Sequence, residues 1–175
     1  MTKNRAGRVE KVILSGDIDE ATVGEAIYEL FRIERKGKAD RIELWMSTYG
    51  GSVNSGFALI DAIEQLKIPV DIVASGTCMS MGTHILQAGD RRYATPNTRI
   101  MIHPMSTGYF GNLDEGKVEM RESKQLEKSA MEQMAKRVGM SVKELKRFQG
   151  RIRYMSPDEA KKHNFIDGIR RPPKR

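Results

Sequence analysis

Short apolar runs alternate along this chain with longer segments whose apolar positions recur three and four residues apart. Val12-Ile-Leu-Ser15 reads as a short strand, and Asp17-Ile-Asp19 starts a turn. From Glu20 to Arg35, the residues Val23, Ala26, Ile27, Leu30, Phe31 and Ile33 fall mostly on one helical face. The same reading predicts strands over 41–47, 70–75, 91–95 and 99–103, and helices over 54–67, 80–88, 113–138, 141–149 and 157–163. A glycine-bearing segment fills 106–112. Strands alternating with helices predict an α/β fold with a mainly parallel sheet and right-handed crossovers. The helix over 113–138 is polar, with sparse apolar positions at Leu113, Val118, Met120, Leu126, Met131 and Met134, so it is expected to bury little against its own domain.

No repeat or linker interrupts the pattern, and 175 residues at 39% hydrophobic suffice for one sizeable core. We therefore expect a single domain over 1–175, with flexible tails at 1–9 and 170–175; Arg171-Pro-Pro-Lys-Arg175 suits neither helix nor sheet centre. There is no apolar run of about 18 residues, so no membrane helix is expected. The basic N-terminus lacks the apolar stretch of a secretory signal. The single cysteine, Cys78, cannot close an internal disulfide, which fits a reducing, cytoplasmic setting.

The formal net charge of +7 raises nucleic-acid binding as a reading. The basic residues gather at the tails and along Lys143 to Arg153, aromatics make up only 6%, and no nucleic-acid motif is present. Solvated basic faces are the expected outcome, with no nucleic-acid partner.

The chemistry concentrates at three turns. Gly76-Thr-Cys-Met-Ser80-Met-Gly82 places a serine between a strand-like and a helix-like run. Such a turn holds a hydroxyl exposed, beside the free N–H groups of the helix start. The segment is not G-x-S-x-G, and alone it is weak. Upstream, the strand Ile42-Glu-Leu-Trp-Met-Ser47 leads to Gly50-Gly51, where backbone can approach a substrate closely. Downstream, Arg99-Ile-Met-Ile-His103 ends an apolar run on a histidine. An oxyanion donor, a nucleophile and a base are the parts of an acyl-transfer site.

From Val12 to Ile169 the chain resembles the Clp protease proteolytic subunit (ClpP) family of serine peptidases. The family's N-S-P-G-G-S-V-T-A-G corresponds to Ser47-Thr-Tyr-Gly-Gly-Ser-Val-Asn-Ser-Gly56, and its A-S-M-G to Met79-Ser-Met-Gly82. Its L-P-N-x-x-x-M-I-H corresponds to Thr95-Pro-Asn-Thr-Arg-Ile-Met-Ile-His103. A fourth match runs from Tyr154-Met-Ser156 to Asp167. The resemblance implies a ClpP/crotonase-like fold: repeated β-β-α-type units, a mainly parallel sheet, and the 113–138 helix projecting as a handle between rings. It implies Ser80 as nucleophile, His103 as base, and the Gly51 and Met81 amides as oxyanion donors. Ser52, Val53 and Met105 would contact an extended polypeptide substrate. No metal and no organic cofactor is implied.

One position departs from the pattern. The family's third triad member, an aspartate, corresponds here to Ile152, and no acid lies between Glu144 and Asp158. Losing that acid costs other serine peptidases on the order of 10⁴ in kcat. Three explanations stay open: a Ser80–His103 dyad of reduced activity, an acid recruited from elsewhere, including a neighbouring subunit (Asp114 and Glu115 being candidates because the segment before them is near His103 in chain), or a non-catalytic subunit. His84 and His163 are expected to be structural or solvent-facing, and Cys78 a small buried residue.

Partners follow from the same resemblance. The family self-assembles into two stacked seven-membered rings, and Arg151 matches an arginine used between rings. It docks an AAA+ ATPase in an apolar groove whose positions correspond to Glu43, Trp45, Gln65, Tyr93 and Arg170. The polar and charged groups there put standard ATPase docking in doubt, as does the short stretch before the first strand. The expected function is thus a serine endopeptidase subunit acting on unfolded proteins or peptides inside an oligomeric chamber. Alternatives are a catalytically degenerate scaffold subunit of a mixed ring, or a Ser-Lys protease of the phage head-maturation and signal-peptide-peptidase kind. An acyl-CoA hydratase-type relative comes last, because it leaves the serine without a use.

Overall fold

The computed structural model describes residues 7–108 and 110–172. Along the chain run β1 (Val9–Ser15), α1 (Glu20–Lys36), β2 (Arg41–Thr48), α2 (Val53–Gln65) and β3 (Val70–Met79). There follow α3 (Met81–Leu86), β4 (Arg92–Ala94), β5 (Arg99–Ile102), α4 (Leu113–Val138) and α5 (Val142–Gln149). The last elements are β6 (Arg153–Met155), α6 (Pro157–Lys162) and β7 (Gly168–Ile169). The α/β architecture matches the expectation, with every strand pairing parallel except β5 with β6.

Seven strands form one sheet in the order β1-β2-β3-β4-β7, with β5 joined to β3 and β6 to β5. β2 and β3 are buried along most of their length, as central parallel strands must be, whereas edge strand β1 alternates. β3 is the pivot. Its first half pairs with β4 through Ile72, Val73 and Ala74, and its second half with β5 through Thr77, Cys78 and Met79. Between the halves Gly76 takes φ +70, and the β2–β3 register shifts between Met46 and Thr48. That bend carries the end of β3 away from β4 and over to β5.

Helix boundaries follow local chemistry. Asp19 caps α1 with a reciprocal Thr22 box, and Gly37 closes it in the left-handed conformation. Ser141 with Glu144 and Ser156 with Glu159 cap α5 and α6 in the same reciprocal way, with Pro157 opening α6. The long polar helix α4 divides in two. Its N-terminal part is exposed, with Leu113 85% and Val118 61% accessible. Its last turns are buried through Ala130, Met131, Met134, Ala135 and Val138. The projecting handle is therefore only the first part of α4; the second belongs to the core, against the expectation that the helix buries little. No helix among the described residues is long and apolar enough to cross a membrane.

The inner edges of both expected tails are held. Val9 opens β1, and the Arg8 amide donates to Asp40. Arg170 donates its amide to the Ala94 carbonyl and its guanidinium to Glu43 at 2.7 Å, and lies over the Tyr93 ring. The outer parts of those tails, residues 1–6 and 173–175, lie outside the described residues.

An ion pair between a buried arginine and a partly exposed aspartate ties β4 to the C-terminal strand. Arg92, 3% accessible at its side chain, contacts Asp167 at 2.6 Å, Gln87 at 2.7 Å and the Asn164 carbonyl at 2.9 Å. Burial pushes the Asp167 carboxyl up, but hydrogen bonds from the Arg92 side chain and amide, and its charge, outweigh that and hold it below the usual 3.8. A depressed carboxyl stabilises the fold above its unfolded value and stops doing so as pH falls through the folded one. Asp167→Asn should therefore lower stability at pH 7 by about 1 kcal/mol, well under the cost of breaking a fully buried pair, because solvent screens the 39% accessible Asp167 side chain. Urea unfolding at matched protein concentration measures this. The gap between the two proteins should close as pH drops below 3.8; equal midpoints at pH 7 would remove the pair from the fold's support.

Candidate active site

Ser80 stands at the junction of β3 and α3 with φ +52 and ψ −122, one of two non-glycine residues with positive φ among those described. A residue with a side chain is held there only when its surroundings over-determine it. The surroundings are visible. The Ser80 amide donates to the Met101 carbonyl at 2.9 Å, and the Ser80 carbonyl accepts from Thr83 at 2.9 Å. The fully buried Thr83 hydroxyl reaches the Cys78 and Met101 carbonyls, each at 2.9 Å. Ser80 occupies the N-cap position of α3, yet its side chain makes no capping hydrogen bond. Its hydroxyl instead meets His103 Nε2 at 2.8 Å. The Ser80 hydroxyl thus faces the histidine and does not cap α3.

The Gly50-Gly51 turn packs directly against this junction. A Cβ on Gly50 would stand 2.6 Å from the Ser80 Cβ and 3.1 Å from the Met81 nitrogen, so no side chain fits. Gly51 takes φ +146, and a Cβ there would meet the Ile18 carbonyl at 2.4 Å. The Gly50 carbonyl and Ser52 amide form the bridge to Ile18, leaving the intervening Gly51 amide outside it. Met81 is the first residue of α3, so its amide is one of the orphan donors of a helix start.

A small cavity of about 40 Å³ opens beside Ser80 and continues into open solvent. Val53, Met105, Ala130 and Met131 supply its apolar wall, and His84, His103 and Glu127 its polar side chains. Of the residues expected to contact substrate, Val53 and Met105 line this cavity. Ser52 differs: its amide goes to Ile18, its carbonyl to Gly56, and its hydroxyl caps α2 by accepting from Ser55.

Ile152 is half exposed, at 52%, directly before β6. β6 runs antiparallel to β5 with Ile100 facing Met155, Met101 facing Tyr154 and Ile102 facing Arg153. His103 and Ile152 are the residues just beyond the last pair of that register, Ile102 with Arg153. Asp114 offers no substitute: it pairs with Lys117 in the exposed first turn of α4. Glu115 lies in the same turn, its amide bound by the capping Asn112.

The rival groups resolve differently. His163 ends α6 and packs on Phe148 at 4.6 Å. Cys78 is fully buried in β3, and burial raises its thiol to about 12 despite the Thr83 hydroxyl, so it is no thiolate. His84 is neither solvent-facing nor a plain packing residue. It walls the cavity, and burial lowers its pKa to about 4, with His103 adding to the shift and the Ala130 backbone opposing it. Glu127, one turn before the buried part of α4, also reaches the cavity. In the sequence it is one carboxylate among many on a polar helix, with nothing to single it out.

A strained serine at a strand-to-helix turn, hydrogen-bonded to a strand-end histidine, is the arrangement of a serine-type hydrolase. The chain belongs to the Clp protease family, whose model matches residues 2–172. A relative from Deinococcus radiodurans, an ATP-dependent Clp protease proteolytic subunit, is 32% identical over 163 residues, covering 91% of this chain and 80% of the relative. The protein is accordingly a serine-type peptidase.

Because the one thiol is buried and protonated, it should resist alkylation at pH 8 in the native protein. It should react fully once unfolded, which a thiol-reactive dye read by mass spectrometry follows. Rapid native labelling of Cys78 would return it as a candidate nucleophile.

Proposed function

We propose that this chain is the peptidase subunit of an oligomeric chamber and cleaves peptide bonds with a Ser80–His103 pair that lacks the usual acid. The observation that carries this is the 2.8 Å contact between Ser80 Oγ and His103 Nε2, made by a serine held at positive φ. Ser80 Oγ attacks the scissile carbonyl while its proton passes to His103 Nε2. The carbonyl oxygen takes the negative charge and is met by the Gly51 and Met81 amides. Collapse breaks the C–N bond, and His103 returns the proton to the departing amine. Water then repeats the cycle on the acyl-serine. An extended substrate would run past Val53 and Met105.

Assembly follows the family reading: rings of this chain, paired through the exposed part of α4, taking unfolded polypeptide. Two stacked heptamers are the proposed arrangement, and Arg151, exposed before β6, is available between rings. Work with a Clp ATPase is part of the same proposal, but the docking face is altered. Glu43 is paired to Arg170 at 2.7 Å and accepts from Trp45 Nε1 at 3.1 Å, while Lys11 lies over the Trp45 ring. A groove filled by an ion pair is a poor seat for an apolar loop.

The scaffold reading draws on Ile152 alone. The Ser-Lys reading finds no lysine among the described residues lining the cavity beside Ser80. Hydrolysis of small fluorogenic peptides by the assembled protein decides between the two remaining readings. Wild type should turn over slowly and Ser80→Ala not at all. Ile152→Asp should raise kcat by about 10² or more, part of the roughly 10⁴ that such an acid contributes elsewhere. An assembled wild type that is silent and gains activity only with Ile152→Asp would make this a scaffold subunit.

A further inference from the structure

The cavity beside Ser80 contains two polar groups that the hydrolytic steps do not use. Glu127 lies on the face of α4 that also presents Ala130 and Met131, at the three- and four-residue spacing that aligns side chains on one side of a helix. Its carboxylate has no hydrogen bond or ion pair among the described residues, unlike Asp114, Glu144 and Glu159, which are all engaged. Across the cavity, His84 Nδ1 is fully enclosed and has no partner. The ring is neutral at pH 7, because burial lowers its pKa to about 4. Among the described residues, no lysine or arginine lines the cavity. The cavity's charge is thus one-sided: the half-buried Glu127 carboxylate has no cationic side chain beside it among the described lining residues. Apolar side chains satisfy the walls of Val53, Met105 and Met131 but leave the carboxylate unpaired. A long stem ending in a cation satisfies walls and carboxylate together.

We propose that this cavity receives the side chain on the acyl side of the scissile bond and selects lysine or arginine there, with Glu127 as the specificity-determining residue. The proposal rests on the reading of Ser80 and His103 as the hydrolytic pair. It assigns Glu127 to substrate selection and not to the missing third triad position. His103 uses Nε2 on Ser80, and Ile152, directly before the residue paired with Ile102, remains the position proposed for the orienting acid.

The test uses matched fluorogenic peptides that differ only in the acyl-side residue: lysine, leucine or glutamate. Assembled wild type, Glu127→Gln and Glu127→Lys are each measured with Ile152 intact and with Ile152→Asp added, so a slow wild type still reports. Ser80 is scored separately by a fluorophosphonate probe. The expected kcat/KM ratio of lysine to leucine peptide exceeds one in wild type. It falls by about tenfold or more in Glu127→Gln, and Glu127→Lys brings the glutamate peptide above the lysine peptide. If Ser80 is labelled and peptides are cut, but the lysine-to-leucine ratio is at or below one and Glu127→Gln leaves it unchanged, the pocket assignment is overturned and the peptidase stands. If Ser80 is not labelled and no peptide is cut in either background, the peptidase reading falls and takes the pocket with it.

Discussion

The rest of the structure depends on holding one serine in a backbone conformation that residues with a side chain avoid. Ser80 at φ +52 costs of the order of 1–3 kcal/mol of local strain. The fold offsets this with backbone hydrogen bonds that exist only if three segments meet. β5 must lie beside the end of β3 so that Met101 accepts the Ser80 amide, and α3 must begin at once so that Thr83 bonds back to both strands. β3 must therefore leave β4 halfway along, which the positive-φ Gly76 and the β2 register shift permit. The same crowding dictates Gly50, whose missing Cβ makes room for Ser80. Strand fork, glycine pair and strained serine are one constraint seen from three sides.

A second consequence concerns charge. The fold pairs ionic groups where it joins segments, as at Arg92 with Asp167, and at the surface groove, as at Glu43 with Arg170. At the imidazole it places no acid, and His103 is positioned by the end of β5 and by Ser80. An aspartate at that point does two jobs: it sets the tautomer and it stabilises the imidazolium. Backbone placement supplies part of the first and none of the second. The rate penalty expected of this chain is therefore mainly electrostatic, and restoring one charge should recover more than improving geometry would.

Legibility in the sequence tracked how far each residue's role is local. Helix boundaries were nearly all readable, because caps such as Asp19, Ser141 and Ser156 act within one turn. β3 was expected to stop at residue 75, since Gly76-Thr-Cys-Met resembles a turn; it continues to Met79 because β5 gives that segment a partner. β6 and β7, of three and two residues, carry no periodicity at all and exist only through pairing. Of the site, Ser80, His103 and the glycine pair were legible from motif and spacing. His84 and Glu127 were not: their meaning comes from α3 and α4 closing on one cavity, a contact no local pattern encodes. Arg170 looked like the start of a basic tail for the same reason, its partner Glu43 being far away in the chain.

These nonlocal residues show how the site divides its charges. An imidazole has two ring nitrogens pointing away from each other, so one carboxylate cannot both orient it and face the substrate. On the reading proposed above, Ile152 would stand on the orienting side and Glu127, which lines the cavity, on the substrate side. A negative charge there still acts through space on the imidazolium that forms at His103, in a cavity where water screens it incompletely. That assistance is present when the cavity holds an apolar side chain and is largely cancelled when a cation occupies it. Substrate selection and catalysis then pull against each other. A cationic side chain binds better but loses electrostatic help at the chemical step, so its advantage belongs in KM more than in kcat. An aspartate at position 152 would remove the conflict by supplying the imidazolium's counter-charge from the other side, letting the preference for a cation pass into kcat as well.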